Sequence, residues 1–414
     1  MRHGQERSDH PVAKIAKFLA ATVAVVAISG SAIGAAAVFG TIGQMKDKGI
    51  QLSHVAGLAP LPDAPAIGPL DGGVNLLLAG SDTRTGQSGY QTKEELAGSS
   101  GAGNNDVTML LHVSADHTSA TVVSFPRDLV SIPLCGKGIS PAMFNSTLSR
   151  GLSCTVQTVE KMTGLTIPYA AIITFNGVTG MSNAVGGVTV CLATPVNDPY
   201  TDPQLNLAAG QQTLVGDLAL SFLRSRHGVG DGSDLGRISN QQVFLSALTR
   251  KITSEGVLSN PLSLYKLANA ALSNMRLSDT LTNPTTLISI ALTLKGISLN
   301  KITFLQYPTE GDPSNPNRVV ALPGPAAALA AALKSDQPIQ LTGKLGRAAV
   351  ADPTAPVAAV PAAPTTTPGT ATSTTPGVTP GSPTTAAGAG EAAIALPSSI
   401  TGQSADQSTC TSNK

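Results

Sequence analysis

Residues 74–84 read VNLLLAGSDTR, an apolar run that ends in a glycine, a serine and charged side chains. The run is short, rich in residues that favour β-structure and bounded by turn residues, a pattern typical of a buried strand. Further runs of this kind follow at 107–113, 120–125 and 170–175. Together they predict the strands of a sheet that is covered on both faces.

Helical patterns lie between and after these runs, at 155–163, 214–222, 238–253, 261–274 and 285–294. A late strand is predicted at 301–307. In chains where helices alternate with short apolar strands, the helices pack on the faces of the sheet. The sequence therefore predicts an α/β sandwich.

Charged side chains flank three of the predicted strands. Asp82 and Arg84 follow the first strand, Asp106 precedes the second, and Arg127 and Asp128 follow the third. Open α/β sheets gather their ligand-binding groups at strand ends. Each motif alone could cap a turn or form a surface ion pair, but their joint occurrence favours a shared site.

The segment 224–242, RSRHGVGDGSDLGRISNQQ, places three arginines and two carboxylates around a glycine-rich loop. Guanidinium groups stay charged and present fixed forks of donors that match phosphate oxygens. Glycine lets the backbone approach a ligand closely. The segment predicts a site for an anionic substrate, and a solvated surface helix-loop-helix is the alternative. The chain has no G-x-S-x-G elbow, which argues against serine hydrolase chemistry.

Composition narrows the choice of partners. The 414-residue chain has a net charge of +1, which argues against bulk nucleic-acid binding. Residues 18–39 carry no charge, are long enough to cross a bilayer and follow a basic segment. We predict a membrane anchor with a cytoplasmic amino terminus, and a cleaved signal peptide is the alternative.

The predicted organisation has six parts. They are a cytoplasmic tail at 1–17, a transmembrane helix at 18–40, a linker at 41–70, an extracytoplasmic domain at 71–346 with its core at 71–252, an Ala/Pro/Thr-rich linker at 347–397 and a tail at 398–414. The composition of the second linker is typical of flexible, partly extended spacers.

The four cysteines lack the C-x-x-C spacing of zinc or thioredoxin-like sites. Outside the cytoplasm, oxidised pairs are the ordinary expectation. Cys135 and Cys154 bracket a turn-rich segment, so we predict that they form a disulfide. For Cys191 and Cys410 the sequence leaves both a bridge and free thiols open.

Six ordered blocks make the chain similar to the LytR-CpsA-Psr proteins of actinobacterial type, and the similarity is strong over about 71–250. The blocks are GSDTR, DVTMLLH, FPRDL, VGGV at 185–188, RSR and GSDLGRISNQQ. The resemblance implies an α/β/α sandwich with a central mixed β-sheet and an apolar tunnel for a polyprenyl chain. From the sequence pattern alone, the apolar helices could equally fill an ordinary core.

The resemblance also implies an activity. It is the Mg²⁺-dependent transfer of a polyprenyl-pyrophosphate-linked anionic or secondary wall glycopolymer to peptidoglycan, with formation of a phosphodiester, at the outer face of the membrane. A polyprenyl-pyrophosphate pyrophosphatase and a non-catalytic envelope regulator that binds polyprenyl phosphate are the alternatives. Paired aspartates beside arginines favour the enzyme, because an anion binder gains nothing from carboxylates without a metal.

The site residues follow from the matching motifs. The resemblance makes Asp82 and Asp106 catalytic ligands of Mg²⁺, or of Mn²⁺. It makes Gln241 a polar substrate contact beside a catalytic pyrophosphate clamp of Arg84, Arg127, Arg224, Arg226 and Arg237. This chemistry is consistent with a polyanionic donor, whose charge must be neutralised as the phosphate leaves. Asp234 could orient an arginine instead of contacting the metal.

Other positions stay open or depart from the family. The base for the acceptor hydroxyl could be Asp82, Asp106, Asp128 or Asp234. Met143-Phe144-Asn145 stands where many members have Lys-Ile-Asn. Asn104 or Asn105 and also Asn240 stand at positions that are often basic. We expect these changes to weaken phosphate affinity or to shift it to a donor with fewer charges, without loss of activity, because five arginines are retained.

Overall fold

The computed structural model describes residues 49–58, 68–90, 92–96, 99, 101–254, 257–355 and 393–413. The strands are β1 Val74–Ser81, β2 Asn105–Val113, β3 Ala120–Phe125, β4 Ile132–Pro133, β5 Ile139–Ser140, β6 Tyr169–Ile173, β7 Val188–Leu192, β8 Val196–Asp198, β9 Leu205–Leu207, β10 Gly210–Leu214, β11 Met275–Leu277, β12 Ile302–Gln306, β13 Thr309–Asp312, β14 Asn315–Ala321, β15 Ile339–Gln340, β16 Ala349–Ala351, β17 Ile394–Ala395, β18 Gly402–Ser404 and β19 Thr409–Thr411. The α-helices are α1 Lys93–Leu96, α2 Leu152–Thr163, α3 Phe175–Ala184, α4 Asp217–Arg224, α5 Asp234–Ser254, α6 Pro261–Asn274, α7 Pro284–Leu294 and α8 Pro323–Ser335. Short 3₁₀ turns occur at Leu134–Gly136, Phe144–Arg150, Val257–Ser259, Asp279–Leu281 and Leu299–Lys301.

The central sheet has seven strands in the order β11-β6-β1-β2-β3-β12-β18. The pairs β1/β6 and β3/β12 are parallel, whereas β1/β2, β2/β3, β6/β11 and β12/β18 are antiparallel. The predicted mixed sheet is therefore confirmed. The predicted strands at 74–79, 107–113, 120–125 and 301–307 all lie in this sheet.

Helices cover both faces of the sheet, which confirms the α/β/α sandwich. On one face, the buried Leu77 and Leu110 share an apolar cluster with Val156 of α2 and Leu329 of α8. On the other face, Val74 and Val113 pack in a second cluster that includes Ile290 of α7 and the partly buried Leu272 of α6. This two-sided burial explains why β1 and β2 are nearly continuous apolar runs.

Local signals set several helix boundaries. Helix α6 spans the predicted residues 261–274, because the Asn260 side chain accepts hydrogen bonds from the first-turn amides and Pro261 suits the first helical position. Helix α3 was not predicted, and its first residue, Phe175, fell at the end of the strand expected at 170–175. Its glycines serve close packing, since a Cβ at Gly177 or Gly180 would clash with Asn274.

A second sheet, in the order β10-β7-β19-β16, is completed by the carboxyl-terminal segment. In it, β19 pairs in parallel with β7, and a disulfide joins Cys410 to Cys191 at the point where the strands meet. Strand β18 also forms one edge of the central sheet. The folded body thus extends beyond residue 346, the boundary expected from the sequence. Cys135 and Cys154 form the other disulfide, the pair expected from the sequence.

Residues 49–58 pack against the body. His54 Nδ1 lies 2.7 Å from the buried Glu160 carboxylate, which also accepts hydrogen bonds from the amides of Val55 and Ile167. Within the described ranges, no helix has the length and apolarity needed to cross a bilayer. The predicted tail at 1–17, the transmembrane helix at 18–40 and most of the linker at 347–397 lie outside the described residues.

Candidate active site

A cavity of about 530 Å³ lies between the central sheet and helices α3 to α6. Its polar side chains include Asp106, Arg127, Arg224, Arg226, Arg237 and Gln241. The remaining wall is mostly apolar and includes Leu78, Met109, Ile173, Val178, Met181, Val185, Leu220, Phe244, Leu245, Leu248, Ile252, Leu267 and Met275. The cavity therefore combines a charged group of residues with a long apolar lining.

Helix α5 contributes lining residues along much of its length, and these show how the cavity extends. Its lining residues are Arg237, Gln241, Phe244, Leu245, Leu248 and Ile252. This spacing places them on one face of a helix. At 1.5 Å per residue, Ile252 lies roughly 22 Å along the axis from Arg237. The charged residues are therefore at one end of the helix face and the apolar lining extends away from them.

A β-bulge brings Asp106 to this cavity. Gly80 pairs with Val107 but Ser81 pairs with Asn105, so Asp106 is an extra residue in β2. Side chains alternate between faces along a regular strand, so Asp106 and Val107 could not both face the cavity without the bulge. Both residues line it. No residue pattern in the sequence marks this bulge.

Asp106 and Asp234 hold three arginines together. Arg127 Nη1 is 2.7 Å from Asp106 Oδ1, and Arg237 Nη2 is 2.6 Å from Asp234 Oδ1. Arg226 Nη2 approaches the same Asp234 oxygen at 3.4 Å. Arg237 Nη2 also donates to the backbone carbonyl of Asp106 at 2.6 Å. Asp234, the first residue of α5, therefore orients the arginines, one of the two roles that the sequence leaves open for it.

The environment of these groups favours an anionic ligand. Burial, together with the nearby Arg237 and Arg127 guanidinium groups, lowers the pKa of Arg226. Burial would also lower the pKa of Arg127, but the adjacent Asp106 carboxylate raises it above its usual value. The nearby carboxylates of Asp234 and Asp106 thus offset only part of the effect of burial and of the neighbouring guanidinium groups on Arg226. A bound phosphate group would supply the missing negative charge.

Asp198 anchors the arginine loop, which we define as residues 225–233. Its buried carboxylate oxygen Oδ2 accepts hydrogen bonds from Ser225 Oγ at 2.7 Å, the Arg226 amide at 3.2 Å and the Gly228 amide at 3.3 Å. Burial raises the pKa of Asp198, but these donors outweigh it and the net pKa is lowered. The sequence did not single out Asp198, because its partners lie far along the chain.

The arginine loop is also tied to the residues after 346. Asp231 Oδ2 pairs with Arg347 Nη1 at 2.8 Å, and its Oδ1 accepts hydrogen bonds from Ser233. Gly230 adopts a positive φ of 57° and donates its amide to the Ser412 carbonyl. The carboxyl-terminal segment therefore supports the arginine loop at the charged end of the cavity.

We expect Asp231→Asn to lower the free energy of unfolding by about 1 kcal/mol at neutral pH. Partial burial raises the pKa of Asp231, but Ser233 and Arg347 lower it to about 2 from 3.8. Because the pKa of Asp231 is lower in the folded state than in the unfolded state, its carboxylate stabilises the fold at pH values above the unfolded-state pKa. This stabilisation is lost as the pH falls toward about 2. Urea unfolding of both proteins at several pH values measures this difference. A difference that stays constant down to pH about 2 would contradict the assignment.

Asp82 and Arg84 are not among the described residues that line the cavity. The Asp82 carboxylate accepts hydrogen bonds from Ser99 Oγ at 2.8 Å and from the Asn104 amide at 2.5 Å. Arg84 Nη1 donates to the Glu95 carbonyl at 2.7 Å, and its guanidinium lies over the Tyr90 ring at 5.1 Å. Both side chains thus hold the loop after β1. Ser81, next to Asp82, does line the cavity.

Arg224 and Gln241 also line the cavity, but their side chains contact residues other than Asp106 and Asp234. The Arg224 guanidinium lies 4.2 Å above the centre of the Phe175 ring, a cation–π contact. Gln241 Nε2 donates to the Leu223 carbonyl at 3.0 Å. The structure therefore gathers Asp106, Arg127, Arg224, Arg226, Arg237 and Gln241 of the predicted set around one cavity, and leaves Asp82 and Arg84 outside its lining.

The departures from the family pattern have structural roles. Phe144 is fully buried, and its ring stacks with Phe125 at 5.7 Å. Asn240 is also fully buried, donates to the Phe222 carbonyl and accepts from Thr411 Oγ1. Asn104 binds Asp82 through its backbone and side chain. Phe144 and Asn240 contribute to packing and to attachment of the carboxyl-terminal segment.

Carboxylate oxygens are the ligands that suit Mg²⁺ or Mn²⁺ here. Asp106 Oδ2 lies 3.7 Å from Arg237 Nη1, beyond hydrogen-bond distance, and the buried Asp234 Oδ2 has no hydrogen-bond partner among the described residues. Asp106 could thus offer Oδ2 to a cation while Oδ1 keeps its pair with Arg127. Asp82 would first have to give up some of its hydrogen bonds to Ser99 and Asn104. A further cluster, formed by Cys191, Asp352 and Cys410, is no metal site because both sulfurs form the disulfide.

The comparison with known proteins agrees with this geometry. The LytR_cpsA_psr family model matches residues 47–333. The chain belongs to this family. The resemblance seen in the ordered sequence motifs is therefore confirmed.

Two relatives within the family carry functional names. The chain is 32% identical over 267 residues to the cell wall biosynthesis protein LcpA of Corynebacterium glutamicum, covering 58% of this chain and 50% of LcpA. It is 32% identical over 159 residues to TagU of Bacillus mycoides, a polyisoprenyl-teichoic acid–peptidoglycan teichoic acid transferase, covering 38% of this chain and 50% of TagU. The chain thus spans about half the length of these relatives.

A solved structure shares the fold of the family. TagT bound to LIIa-WTA superposes with a TM-score of 0.51 at 20% identity, covering 69% of this chain and 99% of that chain. At this level of sequence identity, the similarity shows only that the two proteins share a fold. It agrees with the central mixed sheet and flanking helices described above.

Proposed function

We propose that this protein is a membrane-anchored phosphotransferase of the cell envelope. It transfers a polyprenyl-pyrophosphate-linked anionic or secondary wall glycopolymer to peptidoglycan and forms a phosphodiester link. The single observation that carries this proposal is the cavity, which joins four arginines to a long apolar wall. The pyrophosphate head of such a lipid matches the arginines, and its isoprenoid chain matches the apolar wall.

The arginine cluster accounts for binding of the head group. Arg127, Arg226 and Arg237 converge on two carboxylates, so their guanidinium forks are fixed before a ligand arrives. Such preorganised donors stabilise the charge that develops on a leaving phosphate without further rearrangement. The acceptor hydroxyl attacks the phosphorus that bears the glycan, and the prenyl phosphate leaves. Catalysis of this kind rests mainly on positioning and charge neutralisation.

The predicted cofactor is Mg²⁺ or Mn²⁺, which would supply positive charge to the pyrophosphate oxygens. We propose that Asp106 holds it, together with Asp82 as the resemblance implies. Asp106 already faces the cavity through the bulge in β2. Asp82 lies just after Ser81, which pairs with Asn105 directly before Asp106.

The apolar wall accounts for the lipid chain. Leu248 and Ile252 continue the lining of α5 beyond the arginines. Burial of isoprenoid surface against such side chains provides about 25 cal/mol per Å². The proposed anchor at 18–40 would keep the cavity near the membrane that carries the lipid.

Leu248→Trp tests the path of the lipid chain. An indole at this position fills the cavity about 16 Å along α5 from Arg237. We expect the affinity for a decaprenyl pyrophosphate to fall at least about tenfold, while the affinity for geranyl pyrophosphate stays unchanged, because only the longer chain reaches Leu248. Isothermal titration calorimetry on the purified full chain measures both affinities.

Leu262→Trp is the matched control, since Leu262 is 60% exposed on α6 and lies outside the cavity lining. Equal affinities of the Leu248→Trp variant and the unaltered chain for decaprenyl pyrophosphate would contradict the lipid path. Phosphate release from the lipid pyrophosphate without glycan transfer would indicate the pyrophosphatase. Binding without turnover, with or without Mg²⁺, would indicate the non-catalytic binder.

A further inference from the structure

An exposed aromatic side chain stands beside the arginine loop. Tyr200 is 78% exposed, and it is the most exposed large apolar or aromatic side chain among the described residues. Its ring centre lies 4.5 Å from that of His227, with the planes tilted by 46°. His227 directly follows Arg226, whose guanidinium lines the cavity. Neither ring lines the cavity itself, but the pair is separated from the cavity-lining Arg226 by a single step along the arginine loop.

Asp198 fixes the pair relative to the arginines. Its Oδ1 accepts a hydrogen bond from the Tyr200 amide at 3.0 Å, while its Oδ2 accepts from the amides of Arg226 and Gly228. Asp198 is only 1% exposed. One buried carboxylate thus holds the backbone of Tyr200 and the backbone of the arginine loop in a single arrangement.

The chemistry of this arrangement suits a sugar. A pyranose ring presents a face of C–H groups that packs well on an aromatic ring, and the tyrosine hydroxyl adds a polar contact. Exposed aromatic groups that are held in place serve as binding anchors because little side-chain entropy is lost on contact. A sugar bonded to phosphate, or about to be bonded to it, must lie next to the groups that bind the phosphate.

We propose that Tyr200, supported by His227, forms a carbohydrate subsite that stacks against a pyranose ring at the polar end of the cavity. This inference rests on the proposed function, because it takes the arginines to bind a glycan-bearing pyrophosphate. The ring belongs either to the glycan of the donor or to the acceptor glycan strand. Both sources share the same stacking chemistry, and the probes below separate them.

Binding measurements on the full chain test the subsite with three probes. Geranyl pyrophosphate reports on the arginines alone. The same lipid pyrophosphate carrying one sugar represents the donor, and a soluble oligosaccharide of the peptidoglycan glycan backbone represents the acceptor. We expect Tyr200→Ala to bind one of the two glycan probes about fivefold to tenfold more weakly. Tyr200→Phe keeps the ring and is expected to keep most of this affinity.

The result for geranyl pyrophosphate separates this inference from the proposed function. We expect Tyr200→Ala and Leu262→Ala, an exposed control, to bind it as the unaltered chain does. A loss confined to the sugar-bearing lipid assigns the subsite to the donor, and a loss with the oligosaccharide assigns it to the acceptor. If Tyr200→Ala binds both glycan probes normally, or the unaltered chain binds neither, the subsite is refuted. If the unaltered chain does not bind geranyl pyrophosphate, the proposed function itself fails.

Discussion

Replacement of Arg226 by alanine is expected to lower the rate of glycopolymer transfer by about a thousandfold. Arg226 lines the cavity and pairs with Asp234 at 3.4 Å, and its pKa is lowered by burial and by Arg237 and Arg127. A bound pyrophosphate would therefore compensate its charge. The variant should remain folded, because Asp234 keeps its closer pair with Arg237 at 2.6 Å and is not left as an unpaired buried charge.

Transfer of a labelled lipid-linked glycan to peptidoglycan, followed with thermal unfolding, measures both effects. Arg276→Ala is the matched control, because Arg276 is exposed on β11 and does not line the cavity. Arg226→Lys keeps the charge but loses the planar fork, so we expect an intermediate rate. Transfer at the normal rate by a folded Arg226→Ala variant would remove this arginine from the catalytic site.

The double variant Cys191→Ser/Cys410→Ser is expected to lose about 5 kcal/mol of the free energy of unfolding. The bridge closes a loop across a sequence separation of 219, so in the chain-entropy model it strongly restricts the unfolded chain. It also holds β19 in the second sheet, where Thr411 contacts Asn240 and the next residue, Ser412, accepts from Gly230. Transfer activity should fall as well, because the arginine loop loses this support.

Denaturant unfolding of the oxidised proteins measures the loss of stability. Cys135→Ser/Cys154→Ser is the matched control, since its bridge closes a sequence separation of only 19 and is expected to contribute about 3 kcal/mol. A smaller loss for the Cys191/Cys410 variant than for this control would contradict the role given to the carboxyl-terminal bridge.

The sequence predicted those parts of the fold that depend on local signals. The apolar run of β1 and the Asn260-Pro261 start of α6 are encoded within a few residues, and both elements occur where expected. The second sheet could not be predicted in this way. Its strand β19 has three residues and pairs with β7 across a long separation, so neither its periodicity nor its turns identify the partner.

In the candidate site, too, features marked by local sequence could be predicted, whereas features set by the folded structure could not. Arginines at 127, 224, 226 and 237 were recognised because clustered guanidinium groups have a clear chemical meaning, and they do line one cavity. The placement of Asp106 depends on a bulge, and the support of the arginine loop depends on Asp198, whose contacts are distant in sequence. Arg84 was grouped with the clamp by its motif, but contacts within the irregular loop after β1 direct it to Glu95 and Tyr90.

A crystal structure of the protein with a bound prenyl pyrophosphate tests the central claim most directly. We predict that the pyrophosphate contacts Arg127, Arg226 and Arg237 and that the prenyl chain follows α5 past Leu248. A pyrophosphate bound away from these arginines, or a prenyl chain outside the cavity, would contradict the account.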